Sequence, residues 1–362
     1  MGVREWINNV LHPGISHRSI EARAIYFAVS SGVIAALLGL LYFSTKEGTI
    51  PIWGRVSIGT TSIVLASLAA FIAYFYVLLQ NRAEEVHPSR WRRFYLYLGK
   101  FSLSFIHGAL VFLITTLLFY IVSEAFIGAM VDKYASSVIV GVTVGVISYG
   151  IYLIASNKTT MMVSAALAAF LVAGALTSMI TAQDPYWWQI HLSSLGTAND
   201  FSAYAFNVTL IIGGLVILCI ADFIAQDFAR LTELNSKYER ANVSRLRLIL
   251  VLMGLCFAGV GLFPFDTMAV LHGLCASAML LLFVILIFSL RKLVPPFSHA
   301  FFALSYGMLA AVAFCYVLFQ FVGYLDLTVF EIISFVILFG WLVVFIRQIA
   351  AAQHDEEHKK LL

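Results

Sequence analysis

Charge is what this chain lacks most: Asp, Glu, Lys and Arg make up 11% of its 362 residues, against 61% hydrophobic residues. A soluble domain carries about a quarter charged residues, so a water-facing globular surface is excluded for most of the chain. Mean hydropathy is +0.94. Long polar segments are missing as well, and the gaps between apolar runs are too short to fold as domains of their own. Cys219, Cys256, Cys275 and Cys315 are the only cysteines, and they are scattered singly through apolar runs. Such spacing excludes a CxxC redox or zinc motif and reads as packing by small hydrophobes. Neither HExxH nor GxSxG occurs, and there is no HxxxD cluster on a single helix. A cleavable leader is not expected, because the first apolar run has the length of a full span and no small-residue cleavage pattern behind it.

What the chain has instead is long apolar runs. A membrane helix needs about 20 apolar residues, and ten such spans are expected, near 24–43, 55–79, 95–121, 137–155, 160–181, 203–221, 246–263, 268–289, 300–320 and 328–347. Of the 22 Lys and Arg residues, all but Lys46, Arg55 and Lys133 fall in alternate gaps or at the two ends. The positive-inside rule then places both termini in the cytoplasm. The fold expected is an all-α polytopic membrane protein of about ten transmembrane helices. The location expected is a cell inner (plasma) membrane, and no nucleic-acid partner is indicated.

The chain divides into a cytoplasmic interfacial segment over 1–22, a four-helix membrane region over 23–157, a six-helix membrane core over 158–348 and a cytoplasmic tail over 349–362. Val3, Ile7, Val10 and Leu11 share one face of a short helix that would lie on the inner leaflet. Residues 222–245 place Phe228, Leu231, Leu234 and Tyr238 at helical spacing. This stretch either extends span six or lies along the inner surface, as a solvated face or a docking site for an inner-membrane partner. Small residues recur at packing intervals, Gly32 with Gly39 and Gly141 with Gly145, which lets helices approach closely. His107, near the middle of span three, is expected to bond a neighbouring helix rather than to ligate haem.

Three outward gaps have no Lys or Arg but do hold acids and histidines. The first runs from Gln183 to Asp200 and includes Trp187, Trp188, His191, Ser193, Ser194 and Gly196. The second is Gly261-Leu262-Phe263-Pro264-Phe265-Asp266, followed by His272, and the third holds Asp326 with Glu331 just beyond it. Ionisable groups at membrane depth are costly unless they pair or face a wet cavity. A shallow outward polar cup is therefore expected, lined by His191, Asp266, His272, Glu331 and Asn207 of span six. Carboxylates and neutral imidazoles are zinc-type ligands, and an Asp–His pair can act as base and acid. A divalent ion at the extracytoplasmic face is accordingly one expectation. Ser193 or Ser194 beside His191 is a candidate nucleophile. The structural alternatives are helix caps at Asp266 and Asp200 and an interfacial belt for Trp187 and Trp188.

The segments Leu192-Ser193-Ser194-Leu195-Gly196, Phe206-Asn207-Val208-Thr209-Leu210 and Gly261-Leu262-Phe263-Pro264-Phe265-Asp266, with His272, resemble the bacterial membrane family called domain of unknown function 998. The resemblance covers roughly 160–350 and leaves the first four spans outside it. More distantly, the pattern is similar to eukaryotic membrane proteins that remodel the lipid of GPI anchors. It implies a bacterial inner-membrane setting, a link to lipid chemistry, and functional positions at Ser194, Gly196, Asn207, Pro264, Asp266 and His272.

The leading expectation is a protein that binds or modifies a lipid or lipid-linked substrate at the outer leaflet. Asp266, His272, His191 and Asp200 would do the chemistry. Ser194, Gly196, Asn207, Trp187, Trp188, Asp326 and Glu331 would hold the substrate. The rivals are a small-solute or proton-coupled transporter, which should show a polar path through the midplane, and a non-catalytic subunit docking through 222–245. The charge alternation makes a direct prediction: alkaline phosphatase fused after Trp188 should be active, and fused within 222–245 inactive. The opposite pattern would invert the orientation.

Overall fold

The structure, a computed structural model, describes residues 17–80, 90–197, 200–234, 240–293 and 297–361. The interfacial helix expected at 3–11, the loop cations Arg82 and Lys237, Tyr238 and Pro295-Pro296 lie outside the described residues. Within them the chain is all-α, with ten helices long and apolar enough to cross a membrane. They group into two units, Met1–Lys158 and Thr159–Leu362.

The first unit holds α1 (His17–Ser44), α2 (Ile58–Gln80), α3 (Arg90–Ala125) and α4 (Lys133–Ser156). Its core is made by small and branched side chains, with Ala66, Ala70, Ala73, Ile106, Val140 and Val144 all buried. Helix α1 lies along α4 with almost no side chain between them. A Cβ on Gly141 would stand 2.7 Å from both the Gly32 carbonyl oxygen and the Ala36 Cβ, and one on Gly32 2.9 Å from the Gly141 oxygen. Lipid tails are as apolar as Leu, so helices in a bilayer gain by close packing of small residues rather than by burying large ones. The outer faces of these helices keep large apolar side chains exposed, such as Leu41, Ile114 and Val146.

At one end of this unit a two-residue ribbon joins the α1–α2 and α3–α4 loops. β1 (Ile50–Pro51) pairs antiparallel with β2 (Met130–Val131), setting Ile50 opposite Val131. The helices beside it have side-chain caps: Ser57 Oγ accepts from the Thr60 amide, and Asp132 Oδ1 from the amides of Tyr134 and Ala135. His107 differs from expectation. Its Nδ1 meets the Leu103 carbonyl of its own helix at 2.7 Å, and its ring stacks on Tyr74 of α2 at 3.9 Å. The contact with the next helix is thus a ring face, because the hydrogen bond is satisfied one turn back.

The second unit holds α5 (Thr160–Thr181), α6 (Phe201–Leu234), α7 (Arg240–Leu262), α8 (Phe265–Leu293), α9 (His299–Val317) and α10 (Leu327–Leu361). Helix α6 is central and packs against α5, α7 and α10. It crosses α7 at Gly214 and Gly254, where an added Cβ would lie within 2.5–2.8 Å of the facing backbone. Beyond the apolar span α6 continues unbroken to Leu234, and Phe228 and Leu231 are buried by the unit's own helices. Polar ties hold that end: Arg247 pairs with Asp222 at 2.7 Å, and Thr160 donates to Asp227 at 2.6 Å. Trp341 of α10, fully buried, donates to Ser305 of α9 at 2.9 Å.

The glycine contact predicts a pair of opposite outcomes. Gly141→Ala should lower thermal stability in detergent by about 1–3 kcal/mol, as overpacking does. Gly150→Ala on the same helix, where nothing lies within 4 Å of the added carbon, should be neutral or slightly stabilising. Equal melting temperatures for the two variants would refute close backbone contact as the basis of the α1–α4 pairing.

Candidate functional site

The segment between α5 and α6 does not cross the unit but folds back on one end of it. It forms two short 3-10 turns, Trp187–Gln189 and Leu192–Gly196, and the second is pinned to three different helices. The Leu192 amide donates to Glu331 Oε2 of α10 at 2.6 Å. Asn207 Nδ2 of α6 donates to the Gly196 carbonyl at 2.9 Å. His272 of α8 meets the Ser193 hydroxyl through Nε2, also at 2.9 Å. Gly196 is required by space: a Cβ there would stand 2.5 Å from Asn207 Oδ1 and 2.9 Å from Phe206.

The imidazole of His272 is fixed from its other side. Helix α7 ends at Leu262, and Pro264 stops it by lacking an amide hydrogen, leaving a terminal carbonyl in need of a donor. His272 Nδ1 lies 2.9 Å from the Phe263 carbonyl oxygen. A carbonyl only accepts, so Nδ1 carries the hydrogen, and in the neutral ring Nε2 is then the free base facing Ser193. Both residues are buried, at 6% and 9% exposure. Phe265 stands edge-on to His272 and to His191, with centroids 5.6 and 4.5 Å apart. The arrangement is a hydroxyl, an imidazole and a carbonyl in series.

The remaining expected residues divide between this cluster and ordinary structural work. Ser194 Oγ is turned into its own loop, 2.6 Å from the His191 carbonyl and 3.1 Å from that of Trp187. Asp200 caps α6 by accepting from the Ala203 amide at 2.9 Å, and Asp326 caps α10 by accepting from Val329 at 2.8 Å. Trp187 is partly exposed and Trp188 exposed, beside the exposed side chains of Tyr186 and Ile190. Among the described residues no hydrogen bond joins Asp266 to His272, whose two ring nitrogens go to Phe263 and Ser193. Asp266 is exposed on the opening turn of α8, ahead of a break at Met268 (φ −138°, ψ 46°) that rotates this turn away from the rest of the helix. Nor does it cap the helix, since the amides of Thr267 and Met268 go to the Pro264 carbonyl. Among the described residues no three His, Cys, Asp or Glu side chains converge as metal ligands, so the divalent-ion expectation finds no ligand set there. The pairing of Ser193 with His272 spans 79 positions and has no local sequence signal. Neither the Glu331–Leu192 tie nor the Phe263 carbonyl could be read from spacing.

Searches against protein-family models, curated proteins and solved structures give no match for this chain.

His191 carries a pH signature. Burial, and then the neighbouring His272, hold its imidazole below the usual histidine range. The unfolded chain therefore binds the proton first as pH falls through about 6.5. The stability due to neutral His191 is fully present above that value and is lost as pH falls through the lower, folded value. His191→Phe keeps an aromatic ring against Phe265 and removes the titration. Its melting temperature should fall less than the wild type's between about pH 7.5 and about pH 5.5. Parallel curves would show that His191 contributes nothing to the acid sensitivity.

Proposed function

We propose that this multi-pass membrane protein modifies a lipid or lipid-linked substrate by acyl transfer, with Ser193 as nucleophile and His272 as general base. The observation that carries the reading is the position of His272. Its Nδ1 is held by the Phe263 carbonyl, and its Nε2 is aimed at Ser193 Oγ at 2.9 Å, the reach a base needs to take the serine proton. In the step proposed, Ser193 Oγ attacks the carbonyl carbon of an ester-linked chain while its proton moves to Nε2. The ester C–O bond then breaks, the proton passes to the leaving alcohol oxygen, and the acyl group remains on Ser193 for water or an acceptor hydroxyl. Glu331 and Asn207 act as positioning residues, since each grips one end of the turn that bears Ser193.

A substrate with an apolar chain suits the surroundings. Trp188, Ile190, Phe265, Met268 and Tyr204 are exposed around this end of the unit, which offers an amphiphile a way to the pair from the lipid side. The charge alternation orients that end toward the exterior, in accord with a substrate in the outer leaflet.

The test is covalent trapping. Purified protein in detergent, treated with an alkyl fluorophosphonate, should be labelled at Ser193 as read by peptide mass spectrometry. His272→Gln should slow labelling by about 10²–10⁴-fold, the usual contribution of a general base, while lowering stability by no more than about 1–3 kcal/mol, the cost of one lost buried hydrogen bond. Label on another residue, or a rate indifferent to His272, would reduce the pair to a latch that holds the loop.

A further inference from the structure

The first unit has a cleft of its own, of about 320 Å³, between α1 and α2. Leu38 and Tyr42 of α1, Arg55, and Thr60, Thr61, Val64 and Leu65 of α2 line it. Leu38 and Val64 are about half exposed, at 47% and 56%, and Leu41 and Leu68 beside them are exposed too. The cleft therefore opens sideways along the lipid-facing surface. The threonine hydroxyls that line it are already committed: Thr60 donates to the Gly54 carbonyl at 2.6 Å and Thr61 to the Ser57 carbonyl at 2.9 Å. Arg55 is exposed, and among the described residues it has no hydrogen bond or ion pair. Trp53 stands edge-on to Tyr120 at 6.1 Å, the kind of aromatic pair that marks the membrane–water boundary.

The charge pattern isolates the same place. Lys46, Arg55 and Lys133 are the three cations that break the alternation along the chain; Lys46 and Arg55 sit on the α1–α2 loop that the β1–β2 ribbon ties to the α3–α4 loop, and Lys133 opens α4 just after it. Lys46 lies over the Tyr42 ring at 5.6 Å, at the mouth of the cleft. Acids are present there too: Glu47 is exposed, and Asp132 is occupied in capping α4. A guanidinium at interface depth above an apolar slot matches one ligand end to end. Its forked donors suit a phosphate, and the slot below suits an acyl chain.

The geometry points to an anionic-glycerophospholipid site in the first unit, with Arg55 binding the phosphate and an acyl chain lying between Leu38, Val64 and Leu65. This site is independent of the chemistry proposed for Ser193. It assigns the first unit a lipid-recognition role.

The full chain reconstituted into phosphatidylcholine nanodiscs, with or without phosphatidylglycerol, tests it by counting protein-retained lipid with native mass spectrometry. Wild type should retain phosphatidylglycerol in preference to phosphatidylcholine. Arg55→Gln should cut that preference about fivefold, the worth of one interfacial cation, and Arg55→Lys should keep most of it. Val64→Trp fills the slot without touching the charge and should also reduce retention, and inorganic phosphate should fail to displace the lipid. Retention unchanged in both Arg55→Gln and Val64→Trp overturns the site. Displacement by phosphate alone reduces it to an exposed arginine binding anions.

Discussion

A backbone polar group has no water to turn to inside a bilayer, and that constraint organises this molecule. Ten helices satisfy it by bonding within themselves. The stretch 182–197 does so only in part, through its two 3-10 turns, because it turns back on one end of the second unit without forming a long helix. Three further polar groups are met by side chains sent from the helices: Glu331 takes the Leu192 amide, Asn207 the Gly196 carbonyl, and His272 the Ser193 hydroxyl. Each bond of this kind contributes about 1 kcal/mol net when made, and its loss costs more when a buried partner is left bare. Polar residues that look functional in the sequence therefore have structural work to do as well. The proposed Ser193–His272 pair draws on the same residues that hold the loop.

The same economy explains why the helix ends carry so much of the site. Pro264 ends α7 and leaves the Phe263 carbonyl unpaired, and His272, more than two turns later in the chain, returns to take it. The break at Met268 makes this return possible, since an unbroken helix from Phe265 would aim the imidazole elsewhere. Asp266 sits on the wrong side of that break, which accounts for its exposure. The first unit solves its packing differently, with backbone-to-backbone contact at Gly32 and Gly141 and a ribbon across two loops.

How much of this could be read from residues alone follows from the range of each signal. A span is a local property, about 20 apolar residues in a row, so ten helices were legible, as was the cap at Asp200, whereas the cap expected at Asp266 does not form. The close approach at Gly141 and Gly145 was legible as a packing motif, though its partner surface on Ala28, Gly32 and Ala36 was not. Ser193 and His272 were each visible as candidates, but paired with the wrong neighbours: His191 for the serine, Asp266 for the histidine. Adjacency in sequence is a poor guide in a bundle, where helix order decides who meets whom and leaves no periodic trace. The β1–β2 ribbon was missed for a related reason, since two residues per strand are too few to show alternation.

Under the acyl-transfer proposal, the carbonyl behind His272 sets what the pair can do. In a serine–histidine–aspartate system the buried carboxylate stabilises the imidazolium that forms when the serine loses its proton. A peptide carbonyl orients the ring and selects the tautomer equally well, but it offers a dipole in place of a full charge. Ser193 should accordingly be a weaker nucleophile than one backed by an acid, with the shortfall falling on the proton-transfer step rather than on binding. A membrane substrate mitigates this, because confinement to the bilayer already supplies proximity and orientation. Slow chemistry on a substrate that is always nearby is consistent with a buried, loop-covered pair of this construction. It also separates the two roles of His272: removing its base function affects a rate, whereas removing its bond to Phe263 affects the fold of the turn that carries Ser193.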